Sequence, residues 1–191
     1  MKNINNTNNA TEIKQSLRKE IALLKQTYEA EDLHMLSQKI IHKIEQTQEF
    51  ANAKCILAYY SFPGEVVTHG FIEKYVSKKK IILPVVQKDK LVLKVYTGPD
   101  DLKLSAYGIH EPTGEEFLDY DQIDLAIIPG KVFDRCLNRI GRGKGYYDRL
   151  LPKLNSYFMG ICYSFQLKNE IPVEAHDIPM NCIISQNEII V

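Results

Sequence analysis

Three alternating glycines and two cations stand together in the octapeptide GRGKGYYD, which runs from Gly141 to Asp148. Glycine permits positive φ and close approach of the main chain, so that several amide N–H groups can converge on one anion. Arg142 and Lys144 would neutralise that anion. The apolar pattern resumes downstream and predicts a short helix over residues 147–154, whose positive end would face the same loop. These residue types predict a loop that binds a nucleotide phosphate.

The loop departs from two common nucleotide motifs. Lys144 is followed by Gly145 where a Walker A loop has Ser or Thr, and the GxGxG spacing differs from the dinucleotide motif GxGxxG. The octapeptide alone therefore leaves a second interpretation open, a solvated glycine-rich connection whose cations only keep it soluble.

Length and charge restrict the function classes. The 191 residues fit one domain that can bury a core without disulfides or metal. Lysine plus arginine number 24 and aspartate plus glutamate number 24, so the net charge is zero. This balance argues against a broad electrostatic surface for nucleic acid or anionic membrane.

The cysteines and the N-terminus indicate a reducing compartment. The four cysteines are far apart and lack the CxxC or histidine spacing of a zinc site, so we expect reduced thiols. The polar N-terminus has no secretory pattern, and no apolar run approaches the roughly 20 residues that span a bilayer. We expect a soluble, cytoplasmic protein, and a monomer.

A first helix is predicted from Thr11, after a flexible tail of residues 1–10 that has too little apolar content to pack. Its apolar positions recur at helical spacing: Ile13, Leu17, Ile21 and Leu24. Lys14 and Arg18, four residues apart, are predicted to lie side by side on another face. That face is either a solvated surface or part of an anion site.

The remainder of the chain, residues 11–191, reads as one domain in which helices and strands alternate. Apolar patterns predict a helix over 33–44, a helix after Thr68, and strands at 55–60, 80–86, 91–96, 125–129, 157–163, 183–184 and 189–191. The strands at 80–86 and 91–96 are predicted to form a hairpin. This alternation is typical of an α/β fold with three layers, an open and largely parallel sheet with helices on both faces. Ligands of such sheets bind beyond the carboxyl ends of the strands, where Glu65, residues 134–148 and Asp177 could share one crevice.

Several segments together resemble the 5-formyltetrahydrofolate cyclo-ligase family, also called methenyltetrahydrofolate synthetase. The resemblance covers most of the chain and rests on these segments: KQSLR at 14–18, YSFPGEVVT at 60–68, GIHEP at 108–112, IPGKVFD at 128–134, NRIGRGKGYYDR at 138–149 and IPVEAHD at 171–177. The long central segment is the most specific of them.

The resemblance implies conversion of 5-formyltetrahydrofolate to 5,10-methenyltetrahydrofolate with ATP and Mg²⁺, and release of ADP and phosphate. A formamide oxygen is a poor leaving group. Closure by N10 therefore requires that oxygen to be phosphorylated first, so positioning and charge neutralisation would dominate catalysis.

The resemblance also implies site residues. ATP contacts would come from the first helix and the central loop: Lys14, Gln15, Ser16, Leu17, Arg18, Arg139, Ile140, Gly141, Arg142, Gly143, Lys144, Gly145, Tyr146 and Tyr147. Folate contacts would come from Tyr60, Glu65, Arg142, Gly143, Lys144, Gly145 and Tyr146. Lys144, Arg142 and Tyr146 would be catalytic, with Lys144 stabilising charge at the γ-phosphate.

Magnesium would lie near Asp148 and Asp177, whose hard oxygens leave room for water and phosphate. A purely structural role remains an alternative for three of the residues. Tyr146 could be a core aromatic residue, Asp148 could oppose a helix dipole, and Asp177 could be a turn former.

Three positions depart from the family pattern and put substrate affinity in question: Val85 where many relatives carry arginine, Leu137 where glycine is common, and Asn181 where an acid is common. Two rival functions use the same loop. A phosphotransferase would leave a phosphorylated product, and a nucleotide- or RNA-binding module would consume no ATP. Zero net charge counts against RNA.

Overall fold

A computed structural model describes residues 4–104 and 110–191, with side chains from Asn9 onward. Its α-helices span Ile4–Lys25 (α1), Ala30–Glu45 (α2), Gln48–Asn52 (α3), His69–Tyr75 (α4) and Tyr146–Leu150 (α5). Its strands span Cys55–Leu57 (β1), Lys80–Gln87 (β2), Lys90–Tyr96 (β3), Leu102–Leu104 (β4), His110–Pro112 (β5), Leu125–Pro129 (β6), Val132–Asp134 (β7), Arg139–Ile140 (β8), Tyr157–Ile161 (β9), Leu167–Lys168 (β10), Cys182–Ile184 (β11) and Ile189–Ile190 (β12). Gly108 and Ile109 of the GIHEP segment lie outside the described residues.

The main sheet has seven strands in the order β12-β11-β9-β6-β1-β2-β3. The four central pairings are parallel, and only the two outer pairings, β11 with β12 and β2 with β3, are antiparallel. The β2–β3 pairing is the predicted hairpin, closed by a turn in which Lys88 has φ 55°. The prediction of a largely parallel α/β sheet is confirmed.

The strands bury side chains on both faces of the sheet. In β1, Ile56 packs in one core while Leu57 packs in the other, and the same alternation recurs in β2 and β6. Helices α2, α3 and α4 cover the first face, and the short α5 covers the second. Because successive strand residues point in opposite directions, a near-continuous apolar run is what a sheet covered on both faces requires. The predicted three layers are confirmed.

Helix α1 begins at Ile4, so the prediction of its start at Thr11 was wrong; residues 1–3 lie outside the described residues. The predicted packing face was also shifted. Ile13 is 41% exposed, whereas Lys14 is only 6% exposed and Ile21 is buried against β7 and β8. The cations therefore lie on the packed side of α1, and a purely solvated face is excluded for Lys14.

A second, small sheet was not predicted. It pairs β10, β7 and β8 and follows β6 directly, so the chain turns back on itself before it reaches the glycine-rich loop. The predicted helix over 147–154 is shorter than expected, since α5 has one turn and continues as a 3-10 turn over Leu151–Lys153. Such a short helix contributes little dipole to the loop.

Asp134 ties the small sheet to the rest of the domain. It is fully buried, and its carboxylate accepts hydrogen bonds from the amides of Cys136 (3.0 Å), Asn138 (2.8 Å) and Ile171 (3.0 Å), and from the side chain of Asn138 (3.0 Å). Asp134 thereby connects β7, which leads into the glycine-rich loop, to Ile171, 37 residues further along the chain.

Asp134→Ala should destabilise the protein by at least about 3 kcal/mol, because several buried donors would lose their acceptor together. The free energy of unfolding can be measured in urea by circular dichroism, since the chain has no tryptophan. Asp121→Ala, at an exposed acid, serves as the control and should change stability by no more than about 0.5 kcal/mol. Equal stability of the two variants would contradict this role of Asp134.

Candidate functional site

A cavity of about 430 Å³ opens beyond the carboxyl ends of β1 and β6, where such sheets bind ligands. Three groups of residues line it. The end of β6 and the segments that follow β1 and β6 contribute Tyr59, Tyr60, Phe62, Glu65, Pro129 and Gly130. The glycine-rich segment contributes Arg139, Gly141, Arg142, Lys144, Gly145, Tyr146, Tyr147 and Asp148. The hairpin and β5 contribute Pro84, Val86, Leu91, His110 and Glu111.

The phosphate loop, residues 141–145, is shaped through its carbonyl groups. Arg18 of α1 donates to the carbonyl of Gly141 (2.8 Å), and Arg149 donates to that of Lys144 (3.1 Å). Gly143 and Gly145 have φ of 95° and 64°, the left-handed region that glycine adopts without strain. Within the described residues, no protein acceptor takes the amide N–H groups of residues 142–145. The loop therefore keeps its donors available for an anion.

The two loop cations differ in their surroundings. Lys144 is exposed and lines the cavity, and its ammonium forms no salt bridge in the described part of the chain. Arg142 lies over the ring of Phe62 at 4.0 Å and donates through Nη2 and Nε to Oε1 of Glu65, at 2.6 and 3.1 Å. One cation is ready for a ligand, and the other already holds a carboxylate.

Glu65 is fixed in a tight turn after β1. Its second oxygen, Oε2, accepts from the amide of Phe62 (3.0 Å), and its main-chain carbonyl accepts from the hydroxyl of Tyr163 (2.9 Å). With its side chain only 10% exposed, Glu65 is not the solvated turn residue that it could have been from sequence alone.

Arg139 and Asp148 form a second ion pair across the base of the phosphate loop. The Arg139 guanidinium is buried, it lies 5.6 Å from the centre of the Tyr147 ring, and its Nε has no partner among the described residues. Burial strongly raises the pKa of Tyr147, which therefore stays a neutral wall of the cavity. Asp148 still has one oxygen, Oδ2, that no described donor reaches.

Lys14 joins α1 to the C-terminal segment. Its ammonium contacts Asp177 at 2.5 Å and Glu174 at 2.7 Å. Burial alone would lower the pKa of Lys14, but the hydrogen bonds to these two carboxylates outweigh it and raise that pKa. Burial lowers the pKa of Arg18, opposed by the negative charges of Asp148, Asp177 and Glu174. Arg18 thus lies close to Asp148, which pairs with Arg139, and to Asp177 and Glu174, which pair with Lys14.

Tyr60 is held by a stacked histidine. The rings of Tyr60 and His69 lie 3.8 Å apart and nearly parallel, and His69 in turn hydrogen-bonds Ser61 (3.0 Å). Burial lowers the pKa of His69, which favours its neutral form. A rigid, flat surface therefore lines the cavity beside Glu65.

The hairpin turn contacts the phosphate loop through main-chain oxygens. Arg149 donates to the carbonyl of Asp89 (2.6 Å), and the Tyr146 hydroxyl lies 3.5 Å from the carbonyl of Lys88. Arg149 also lies 5.4 Å from the centre of the Tyr146 ring. Tyr146 therefore lies between the loop and the hairpin at the rim of the cavity, instead of in the core.

The structure brings most of the predicted residues together, but not all. Tyr60, Glu65 and most of the segment 139–148 share the cavity, and Arg18 contacts the loop. Lys14 and Asp177 pair with each other and do not line the cavity. Gln15 and Ser16 are exposed on α1, and Ile140 is buried in the small sheet. None of these three residues lines the cavity, so their predicted contacts with ATP stay a prediction.

Sequence reasoning missed the far wall of the cavity. Pro84 and Val86 alternate along β2, and with Leu91 they present apolar side chains to the cavity. Period-two alternation on a hairpin beside the strand ends was the signal that could have found them. Phe62 and Glu111 stood within segments that carried the family resemblance, yet neither was given a role.

The three departures from the family pattern have distinct surroundings. Val85 is buried and does not line the cavity, unlike its two neighbours in β2. Leu137 has φ 68°, the left-handed conformation that explains why glycine is common there. Asn181 exchanges hydrogen bonds with Phe158 between β9 and β11. None of the three contacts the phosphate loop.

Asp148 and Asp177 supply the carboxylate oxygens that Mg²⁺ prefers, but two side chains do not form a complete coordination site. Each is a carboxylate with one oxygen outside its ion pair, and no group of three or more metal-ligating side chains occurs in the regions that the structure describes. Mg²⁺ is commonly held by one or two carboxylates together with waters and phosphate oxygens, so this pair suits an ion that arrives with a nucleotide.

No helix in the described ranges is both long and apolar enough to cross a membrane.

Known proteins with similar sequences indicate the family to which the cavity belongs. The chain is 30% identical over 179 residues to a 5-formyltetrahydrofolate cyclo-ligase of Haemophilus influenzae, covering 89% of this chain and 96% of that protein. A mouse protein of the same name is 28% identical, with 91% and 94% covered.

Solved structures agree with the sequence relatives. The NMR structure of Aquifex aeolicus 5,10-methenyltetrahydrofolate synthetase superposes with a TM-score of 0.84 at 32% identity, covering 93% of this chain and 92% of that one. A synthetase of the same name from Mycoplasma pneumoniae gives a TM-score of 0.74 at 26% identity, with 91% and 98% covered. Residues 10–186 match the family description as one continuous region. With the fold, the phosphate loop and these relatives in agreement, the chain belongs to the 5-formyltetrahydrofolate cyclo-ligase family.

Proposed function

We propose that this protein uses ATP to convert 5-formyltetrahydrofolate to 5,10-methenyltetrahydrofolate, releasing ADP and phosphate. One observation carries the proposal beyond family membership. A loop with unused amide donors and a free lysine forms one wall of a cavity whose other walls are largely aromatic and apolar. A polyphosphate and a flat pterin can therefore be held in contact.

The reaction needs the two substrates to meet at the formyl oxygen. That oxygen attacks the γ-phosphorus and ADP leaves; N10 then attacks the formyl carbon, loses its proton, and phosphate departs with the C–O electron pair. Lys144 lies where its ammonium can offset charge on the transferred phosphoryl group. Tyr146, at the rim between loop and hairpin, would pack beside the formyl group.

Substrate binding requires the cations of the site to change partners. In the free protein Arg142 holds Glu65, Arg139 holds Asp148, and Lys14 holds Asp177. The triphosphate of ATP carries more negative charge than a carboxylate, so Arg142 and Lys14 would exchange their carboxylate partners for it. Asp177 would then be available for a divalent cation. Magnesium bound with ATP would offset phosphate charge, and Asp148 and Asp177 are the residues that we propose to hold it.

We further propose that the enzyme acts as a monomer in the cytoplasm. The four cysteines are all free thiols, as is typical of a reducing compartment, and this supports the cytoplasmic location.

Product analysis tests the function. The purified protein is mixed with MgATP and 5-formyltetrahydrofolate, and the methenyl product is followed by its near-ultraviolet absorbance while free phosphate is assayed in parallel. Both products should form in equal amounts. A phosphorylated folate that accumulates without cyclisation would identify a phosphotransferase, and ligand affinity without ATP consumption would identify a binding protein.

Lys144→Ala should reduce turnover on the order of 100-fold or more, because a charge aimed at the developing transition state is lost. The fold should be unaffected, since Lys144 is exposed and forms no described ion pair. Lys153→Ala, an exposed lysine beyond α5, is the matched control and should keep full turnover. Turnover like that of the wild type in Lys144→Ala would remove this residue from catalysis.

Asp177→Asn should raise the Mg²⁺ concentration that gives half-maximal activity roughly tenfold, because a charged oxygen ligand is lost. Glu174→Gln is a close control, since it also removes a carboxylate from Lys14 but not a proposed metal ligand. Titration of Mg²⁺ at fixed ATP measures both variants. If the two curves shift equally, the effect belongs to Lys14 and the metal assignment of Asp177 is wrong.

A further inference from the structure

Three carboxylates line the cavity among the described residues, and they differ in what they already bind: Glu65, Glu111 and Asp148. Glu65 accepts three hydrogen bonds, two from Arg142 and one from the amide of Phe62, out of roughly four that a carboxylate can take. Asp148 is paired with Arg139. Two of the three acids are therefore committed to protein donors before any ligand arrives.

Glu111 is the exception. Its Oε1 is buried, and no donor in the described part of the protein reaches it. A buried carboxylate oxygen without a partner is costly, because it has given up its hydration and gained nothing in return. Such atoms are rare in folded proteins. Glu111 is one of the residues that line the cavity, so a donor on a bound ligand would complete its hydrogen bonding.

The position of Glu111 is fixed by its strand and by its neighbours. Residue 111 is the middle of β5, paired with Lys103 of β4. The preceding residue, His110, lies edge-on to the ring of Tyr60 with centroids 6.2 Å apart. Strand β5 thus lies beside the stacked pair of Tyr60 and His69, and Glu111 lines the same cavity as Tyr60.

The surroundings restrict the ligand to a flat group that carries N–H donors. The wall beside Glu111 is apolar, with Pro84, Val86 and Leu91, so a hydrated ion would leave most of its shell unreplaced. Apolar and aromatic lining residues of this kind suit a planar ring. On the proposed function, the reduced pterin is that ring, and its 2-amino and N3–H groups form a pair of donors that a carboxylate matches.

We propose that Glu111 is a substrate-binding residue that accepts hydrogen bonds from the 2-amino and N3–H edge of the reduced pterin. Glu65, whose carboxylate is held by Arg142 and the amide of Phe62, supports the position of Arg142 while no ATP is bound, and Glu111 is then the main acceptor for this edge. The inference rests on the proposed function for the identity of the ring.

Direct binding without ATP tests it, because no turnover then occurs. Titration calorimetry gives the Kd of 5-formyltetrahydrofolate for the wild type, Glu111→Ala and the control Glu115→Ala, whose exposed acid lies nearby in the chain. Loss of a charge-assisted hydrogen bond should weaken binding 10- to 100-fold in Glu111→Ala and leave Glu115→Ala unchanged. The Kd of a non-hydrolysable ATP analogue should be the same in all three.

An analogue with methyl in place of the 2-amino group identifies the atom that is bound. The wild type should bind it at least tenfold more weakly than the parent folate, whereas Glu111→Ala should bind the two compounds equally. An equal penalty in wild type and variant would overturn the assignment.

Thermal stability separates binding from a structural role. Glu111→Ala should melt at the same temperature as the wild type or higher, because Oε1 has no partner to lose among the described residues. A lower melting temperature together with unchanged folate affinity would show a structural residue and overturn the inference. Absence of any folate binding by the wild type would instead reject the proposed function itself.

Discussion

The site that we propose for a triphosphate and a divalent cation keeps positive and negative side chains close together, and each charge needs a partner within the protein. Here three internal ion pairs meet that constraint: Arg142 with Glu65, Arg139 with Asp148, and Lys14 with Asp177. Left uncompensated, the buried members of these pairs would favour their neutral forms or destabilise the fold. The arrangement of α1, the turn after β1 and the C-terminal segment follows from the need to bring these partners together.

The same constraint accounts for the use of main-chain groups in the proposed anion site. Arginine side chains shape the phosphate loop by binding its carbonyl groups, which leaves the amides of residues 142–145 unused. Amide groups carry no net charge, so they need no counterion in the absence of a phosphate. Lys144 adds full charge at the exposed rim, where water solvates it until a ligand arrives.

Local patterns sufficed to predict most of the fold, whereas long-range charge pairing could not be predicted. The apolar runs of β6 and of the β2–β3 hairpin identified buried strands because both faces of the sheet are covered. The packed face of α1 was assigned to Ile13 because apolar spacing ignores ion pairs; Lys14 is buried by two acids 160 and 163 positions away. The predicted loop cations were found in the cavity, but the apolar hairpin wall carried no chemical signature of a site.

The link between the hairpin turn and the phosphate loop has an evolutionary consequence. Arg149 and Tyr146 contact the turn at the carbonyl oxygens of Asp89 and Lys88, not at their side chains. Any residue that tolerates the left-handed backbone at position 88 presents the same oxygens. Natural variation can therefore change the side chains of this surface turn, provided that the backbone conformation of the turn is kept.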